Sequence, residues 1–228
     1  MKRSVLALIA LFCTFRLAAQ TNRPLVVHLS QPGKVFTLNV NIGRAAIRVS
    51  GYDGKDVVME ASAEGITAQE KNNEVTVTSS NRKVAVTLNI KVPKTAGIFK
   101  LSSLNGGTIM ANDVTGNLEL QNKSGGISAL NISGTVIAGT LSGNVMVSFK
   151  QVDPGTPMAF STVSGAIDIT FPASLNANLK IRSDIGKVYS EFPLTDDLAD
   201  WRYAKAGSGG PEMLIKNTNG NIHIYKRE

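Results

Sequence analysis

A glycine that recurs about every 20 residues is the feature that most limits what this chain can fold into. It closes a short polar segment six times, at Gly106, Gly125, Gly143, Gly165, Gly186 and Gly220. Apolar residues two positions apart flank these glycines, and that spacing is typical of β-strands on either side of a turn. The repeat therefore predicts a stack of coils, each with two short strands and a corner glycine at positive φ.

Alignment on the glycine produces two apolar columns and one polar column. Five positions before the glycine stand Leu101, Leu120, Ala138, Phe160, Ile181 and Ile215. Two positions after it stand Ile127, Val145, Ile167, Val188 and Ile222, with Ile109 displaced by one. Three positions before it stand Ser103, Asn122, Thr140, Thr162, Ser183 and Asn217. The polar column shares the parity of the first apolar column, which predicts an inward hydrogen-bonded ladder near the corner; a glycan-binding row is the alternative.

The fold predicted from this repeat is all-β. Half-turn glycines at Gly116 and Gly134 indicate a coil of about 18–20 residues. Crossovers between parallel strands are right-handed in about 98% of cases. We therefore expect a right-handed parallel β-solenoid (a β-helix) over residues 93–228, with an inserted loop at 193–211. Residues 25–92 are rich in strand patterns that do not follow the repeat, and they are predicted to form an N-terminal β-cap that covers the first exposed edge.

The first 19 residues are predicted to be a secretory signal peptide. Lys2 and Arg3 precede a mostly apolar run, and small residues at Ala18 and Ala19 come just before the expected cut. The run is too short to span a bilayer, and no later stretch predicts a transmembrane segment. Cleavage would leave residues 20–228 as a single domain without cysteine, because Cys13 is the only one in the chain.

The net charge argues against a nucleic-acid partner. The whole chain carries a formal charge of +7, and Lys2, Arg3 and Arg16 belong to the predicted signal, so 7 − 3 leaves +4. A charge this small does not indicate nucleic-acid binding.

The chain is predicted not to be an enzyme, and it contains no predicted catalytic, cofactor or metal site. The two histidines, His28 and His223, are far apart in sequence and belong to no metal-binding or triad pattern. Asp168 and Asp184 are the nearest approach to a carboxylate pair, but paired-acid chemistry needs them about 5–10 Å apart. A carbohydrate-active β-helix enzyme is the alternative, and it requires these two acids to share a cleft with a basic residue such as Lys180 or Arg182.

The inserted loop 193–211 is the most distinctive segment for binding. Its candidate residues are Asp197, Asp200, Trp201, Arg202 and Tyr203. Tryptophan, tyrosine and arginine are favoured at recognition sites, so this loop is a candidate partner-binding surface. The alternative is that the loop folds over the end of the coils and that the tryptophan seals the core.

The repeat resembles a family of bacterial β-strand-repeat proteins described as putative adhesins, whose founding domain has no known function. The residues that carry the resemblance are Val92-Pro93, Ser124–Ile127, Ser142–Val145, Ser164–Ile167 and the opening segment Val49–Asp53. It extends over about residues 35–226, and Ile185 departs from the Ser or Asn that precedes the other glycines. The resemblance implies an exported β-solenoid in the periplasm, on the outer membrane or outside a Gram-negative cell. The expected partner is a glycan, an extracellular matrix or an envelope protein, with a periplasmic structural or signalling role as a further alternative.

Overall fold

The computed structural model describes residues 24–153, 155–196 and 200–227, and in these ranges the only helices or strands are 20 β-strands. They are β1 (Leu25–Val27), β2 (Phe36–Ile42), β3 (Ala45–Tyr52), β4 (Val57–Ala61), β5 (Ile66–Lys71), β6 (Glu74–Ser79), β7 (Val86–Pro93), β8 (Gly97–Ser103), β9 (Ile109–Asn112), β10 (Thr115–Asn122), β11 (Ile127–Ser142), β12 (Val145–Val152), β13 (Met158–Ser164), β14 (Ile167–Pro172), β15 (Ala177–Ile185), β16 (Val188–Ser190), β17 (Thr195–Asp196), β18 (Arg202–Ala206), β19 (Glu212–Asn219) and β20 (Ile222–Arg227). The all-β prediction is confirmed. The predicted signal peptide 1–19 and Asp197 lie outside the described residues.

The strands form one nearly closed sheet with two faces around a single core. On the first face, β6, β2, β8, β10, the second half of β11, β13, β19 and β15 pair in parallel in that order. On the second face the parallel order is β7, β3, β9, the first half of β11, then β12, β14, β20 and β16. We call one strand of the first face, with the strand that follows it across the corner on the second face, a rung.

The rungs do not stack in chain order. The β2–β3 rung lies between β6–β7 and β8–β9, so the first rung in chain order is the second rung of the stack. At the other end, β19–β20 lies between β13–β14 and β15–β16. The coils that carry Asp168 and Asp184 are consecutive in sequence but are separated in space by the last rung.

Antiparallel strands cover most of the outer edges. At one end β5 pairs with β6, β4 pairs with β7, and β1 pairs with β4. At the other end the insertion supplies β18, which pairs with β15, and β17, which pairs with β18. An uncovered row of backbone donors and acceptors would invite pairing with another chain, so these strands protect the sheet. β16 pairs with β20 and, among the described strands, with no other.

The two apolar columns predicted from the repeat form the core. Every member of the column before the glycine is fully buried, from Leu101 to Ile215. In the column after the glycine, all members are buried except Val188, which is half-buried because it belongs to the last rung. Five phenylalanines are the largest fully buried side chains, and the rings of Phe149 and Phe171 stack with their centroids 5.3 Å apart. Inward packing along the whole stack supplies the hydrophobic stabilisation that one coil alone could not.

The polar column binds the backbone of the corners. Five of its six side chains donate a hydrogen bond of 2.7–3.0 Å to the corner glycine carbonyl of the preceding rung in the stack, and Ser103 donates one of 2.9 Å to the carbonyl of Ala45. The pairs are Asn122 with Gly107, Thr140 with Gly125, Thr162 with Gly143, Asn217 with Gly165, and Ser183 with Gly220. The predicted ladder is therefore built from side chain to backbone, and these side chains are turned towards the corner backbone rather than presented as a glycan-binding row.

The corner glycines lie on top of one another, closer than any residue with a Cβ could. Gly165 has a φ of 145°, and a Cβ there would collide with the carbonyl oxygen of Gly143 in the preceding rung. The same collision would occur at Gly125, Gly186 and Gly220, with the neighbouring corner in each case. In the first coil the stacked residue is Gly107 rather than Gly106, which explains why Ile109 was displaced by one in the sequence alignment. Positive φ is nevertheless confirmed at all six predicted corners.

The described ranges contain no helix with the length and hydrophobicity that a membrane crossing requires.

We predict that Gly165→Ala lowers the free energy of unfolding by about 3 kcal/mol or more, because the methyl group adds a collision to an unfavourable φ. Gly33→Ala is the matched control: its φ is 82°, but a Cβ would meet no atom within 4 Å. The control should cost about 1 kcal/mol, the price of the backbone conformation alone. Urea denaturation measures both variants, and equal losses would contradict the close stacking of the corners.

Aspartate at an inward-facing position should lower the free energy of unfolding far more than aspartate at an outward-facing position. Val145→Asp or Ile167→Asp removes a buried aliphatic group worth ~2 kcal/mol and buries an unpaired charge in its place. Gln151→Asp, on an exposed position of β12, should change the free energy of unfolding by about 0.5 kcal/mol at most. Thermal denaturation followed by circular dichroism distinguishes them; near-normal melting of both inward variants would refute the inward assignment.

Candidate functional site

The inserted segment builds the candidate site at the β15–β16 end of the stack. β18 runs antiparallel along β15, with Arg202 opposite Ile181 and Tyr203 opposite Lys180. Alternation along a strand turns Ala204 and Ala206 towards the core, where both are buried, and Tyr203 outward. The insertion thus extends the first face beyond its last parallel strand and ends the stack on that side.

Trp201 lies against the outer surface of β15. Its indole ring is 4.9 Å from Lys180 Nζ and 5.6 Å from Arg182 Cζ, measured to the ring centroid. These are cation–π distances, and each such contact is worth about 0.5–1 kcal/mol at a partly exposed site. Trp201 is half-buried and is absent from the core cluster. Its ring therefore does not seal the core, and the alternative that Trp201 closes the end of the coils is wrong on this point.

Arg202 contacts the last strand of the second face. Its Nη1 donates a 3.3 Å hydrogen bond to the carbonyl oxygen of Val188. Val188 belongs to β16, the edge strand without a covering neighbour among the described strands. One function of Arg202 is thus to satisfy a backbone acceptor where the sheet stops.

A cavity of about 440 Å³ opens at this end, between β15, β16 and the segment that precedes β18. Its lining is Arg182, Ser183, Asp184, Gly186, Val188, Asp200, Trp201 and Arg202. Asp184 accepts a 2.7 Å hydrogen bond from Arg182 Nε, and both side chains are about one-third exposed. Asp200, in a left-handed conformation with φ 60°, is exposed at the rim. The cavity combines two guanidinium groups, two carboxylates and one face of an indole, a set suited to a polar ligand or a protein side chain.

The structure brings together four of the five predicted loop residues but adds partners that sequence reasoning did not assign. Asp200, Trp201 and Arg202 line the cavity, and Tyr203 lies beside it on β18. The sequence assigns Ser183 and Val188 to the coil alone and considers Arg182 only as a basic partner of the two acids, because their contribution to the cavity depends on the edge that β15 and β16 form. Within the described residues, no group of three or more histidine, cysteine or acidic side chains could hold a metal ion.

The two acids considered for paired-carboxylate chemistry make separate interactions. Asp184 pairs with Arg182 at the cavity, whereas Asp168 accepts a 2.8 Å hydrogen bond from His223 Nδ1 on the second face. Asp168 is not among the residues that line the cavity. The shared cleft that the carbohydrate-active enzyme alternative requires is therefore not formed by this pair.

Sequence reasoning missed an outward row on the second face. Met146, Asp168, His223 and Tyr189 are register partners on four neighbouring strands. All four stand three positions after a corner glycine, so the same alignment that revealed the core contained this column as well. It went unrecognised because its members differ in chemistry and because the true rung order was unknown.

Comparison with known proteins assigns the chain to a family. The family described as Toastrack DUF4097 matches residues 89–225, more than half of the chain, and this protein belongs to it. The resemblance to an adhesin-like family of unknown function is thereby confirmed. No curated protein matches the chain.

Two solved structures match the chain. A putative cell adhesion protein from Clostridium sporogenes ATCC 15579 is 15% identical, with a TM-score of 0.52 over 90% of this chain and 99% of that one. A putative adhesin from Bacteroides fragilis NCTC 9343 is 12% identical, with a TM-score of 0.30 over 90% of this chain and 98% of that one. The first of these supports a common fold.

We predict that Trp201→Ala lowers the free energy of unfolding by only about 1 kcal/mol, since the ring contacts outward-facing cations and not the core. Phe171→Ala is the contrasting variant. It removes a fully buried ring and should cost about 3–5 kcal/mol. Chemical denaturation of both variants checks the prediction, and comparable losses would restore the role of Trp201 as a seal of the core.

Proposed function

We propose that this chain is an exported, non-catalytic binding protein of adhesin type, which holds its partner at the end of the stack around Trp201. The observation that carries the proposal is the cavity formed where the insertion meets the last rung. Functional loops are commonly mounted on rigid scaffolds, and here the scaffold is a continuous hydrogen-bonded stack. Trp201 and the two arginines supply the side-chain types most favoured at protein recognition sites.

Export is part of the proposal. The layout of residues 1–19 supports a cleaved signal peptide, and a fold shared with a protein described as a putative cell adhesion protein is consistent with a surface location. The proposed location is the periplasm, the outer membrane surface or the exterior of a Gram-negative cell. A glycan, an extracellular matrix component or an envelope protein is the proposed partner.

The finer architecture also belongs to the proposal. We infer a right-handed solenoid, because parallel crossovers overwhelmingly take that hand. Residues 25–92 are proposed as its N-terminal cap, a role supported by the antiparallel strands β1, β4 and β5 at that end. The β2–β3 rung, in parallel register with β8–β9, would make the cap continuous with the coils.

Protease accessibility on intact producing cells tests the location. Rapid cleavage of this protein, with a periplasmic control protein left intact, is the expected result for a surface adhesin. Protection until the outer envelope is opened would contradict the surface role and support a periplasmic structural or signalling role instead.

Attachment assays with purified protein test the site. Wild-type protein should bind host cells or immobilised matrix, and Trp201→Ala should weaken attachment at least tenfold with near-normal melting. Val163→Ala, an exposed apolar residue on β13, is the matched control and should attach normally. Equal attachment by Trp201→Ala and wild type would remove the cavity from the proposal.

A further inference from the structure

The outward row on the second face ends at the exposed ring of Tyr189, and a second exposed ring, Tyr225, lies on β20. Tyr189 is 48% exposed and Tyr225 is 42% exposed; in the part of the chain that the structure describes, no other aromatic residue is among the exposed large apolar side chains. Both rings contact His223. Exposed apolar residues scattered singly need no explanation, but two exposed tyrosines that contact the same imidazole form a cluster that does.

The three rings are nearly parallel. The Tyr189 and His223 rings are stacked with centroids 5.1 Å apart and planes 10° apart. The Tyr225 ring lies 6.2 Å from His223 with planes 16° apart. Because Tyr189 belongs to β16, which pairs only with β20 among the described strands, one face of its ring is covered by His223 and the other is turned away from the stack. The row therefore stops at a ring whose outer face has no further rung to pack on it.

Asp168 orients the imidazole in this row. An ionised carboxylate can only accept hydrogen bonds, so the 2.8 Å contact requires that His223 Nδ1 donates to Asp168. In the neutral imidazole, Nε2 is then left as an acceptor, and the side chain is 27% exposed. The site presents an aromatic face and a hydrogen-bonding imidazole nitrogen held in one orientation by a neighbouring strand.

We propose that this row is a glycan-binding site in which a pyranose ring of a neutral polysaccharide packs on the outer face of Tyr189. The C–H groups on the apolar face of a pyranose carry partial positive charge, which complements the negative face of the aromatic ring. Sugar hydroxyl groups can donate to His223 Nε2 and exchange hydrogen bonds with the tyrosine hydroxyls. No lysine or arginine occurs among the row residues Met146, Asp168, His223 and Tyr189, so nothing in it selects an acidic sugar.

The site is separate from the Trp201 cavity. Val188 lines the cavity and Tyr189 carries the row, and successive residues of a strand point to opposite sides of the sheet. Its shape favours a glycan over a protein partner. A stable protein interface needs about 800 Å² from each side around a buried centre, whereas the row is narrow and Tyr225 has the polar Thr170 as its register partner.

Affinity electrophoresis with soluble polysaccharides tests the inference directly. Purified wild-type protein is run through gels containing hydroxyethyl cellulose, xylan, mannan, laminarin or glycol chitin. At least one of these should retard it, and Tyr189→Ala should weaken that binding about tenfold or more. Tyr189→Phe, which keeps the ring face, should retain most of the affinity.

Two control variants separate this site from the rest of the surface. Val163→Ala and Ile137→Ala, with similarly exposed side chains on the other face, should both bind the polysaccharide as wild type does. Wild-type protein that none of the five polysaccharides retards, or retardation unchanged in Tyr189→Ala, would overturn the inference. Binding to a matrix protein that Tyr189→Ala abolishes, without polysaccharide binding, would overturn it in favour of a protein partner. The attachment assay with Trp201→Ala is a separate readout, so either proposal can fail while the other stands.

Discussion

The contact between corner glycines of neighbouring rungs is the constraint on which the structure depends. Parallel strands must stay about 4.8 Å apart, and at the corners this spacing leaves no room for a side chain between one glycine and the carbonyl of the next. The same carbonyls would be left without a strand partner, and the polar column supplies the missing donors. A glycine and a hydrogen-bonding residue three positions before it thus form one structural unit, repeated along the stack. The apolar columns can align only because these corners allow every rung to sit in register.

The order of the rungs makes the two faces of the stack end differently at β15–β16. If β19–β20 simply followed β15–β16, His223 would lie outside Tyr189, and Asp168 would be the register partner of Tyr189. Because β19–β20 instead lies between β13–β14 and β15–β16, His223 lies between Asp168 and Tyr189. It also leaves β16 as the final strand of the second face, while the insertion covers the first face with β18 and β17. The cavity and the aromatic row both result from this asymmetry between the two faces.

The sequence predicts the rungs well because each carries its own local signal. Glycine spacing, strand alternation and the polar column identify the corners and the inward residues, including members as different as Ala138 and Phe160. The glycine spacing puts the first corner at Gly106, one residue before the stacked Gly107, because either of two consecutive glycines fits that spacing. The strand order could not be predicted, because a rung presents similar edges to every other rung and no local residue specifies its neighbour. The loop residues around Trp201 carry a local signal and could be identified. The strands that complete their cavity, and the row that ends at Tyr189, depend on the strand order and could not be predicted.

Disulfide trapping tests the inserted position of β19–β20 most directly. Ser161, Lys216 and Arg182 are outward-facing register partners on β13, β19 and β15. In a Cys13→Ser background, the pair Ser161→Cys with Lys216→Cys should oxidise readily, since adjacent strands bring the Cα atoms within the ~4.4–6.8 Å that a disulfide requires. Ser161→Cys with Arg182→Cys should remain reduced, because a whole strand separates them. Efficient oxidation of the second pair and none of the first would show that the rungs follow chain order, and would contradict the inserted position of β19–β20.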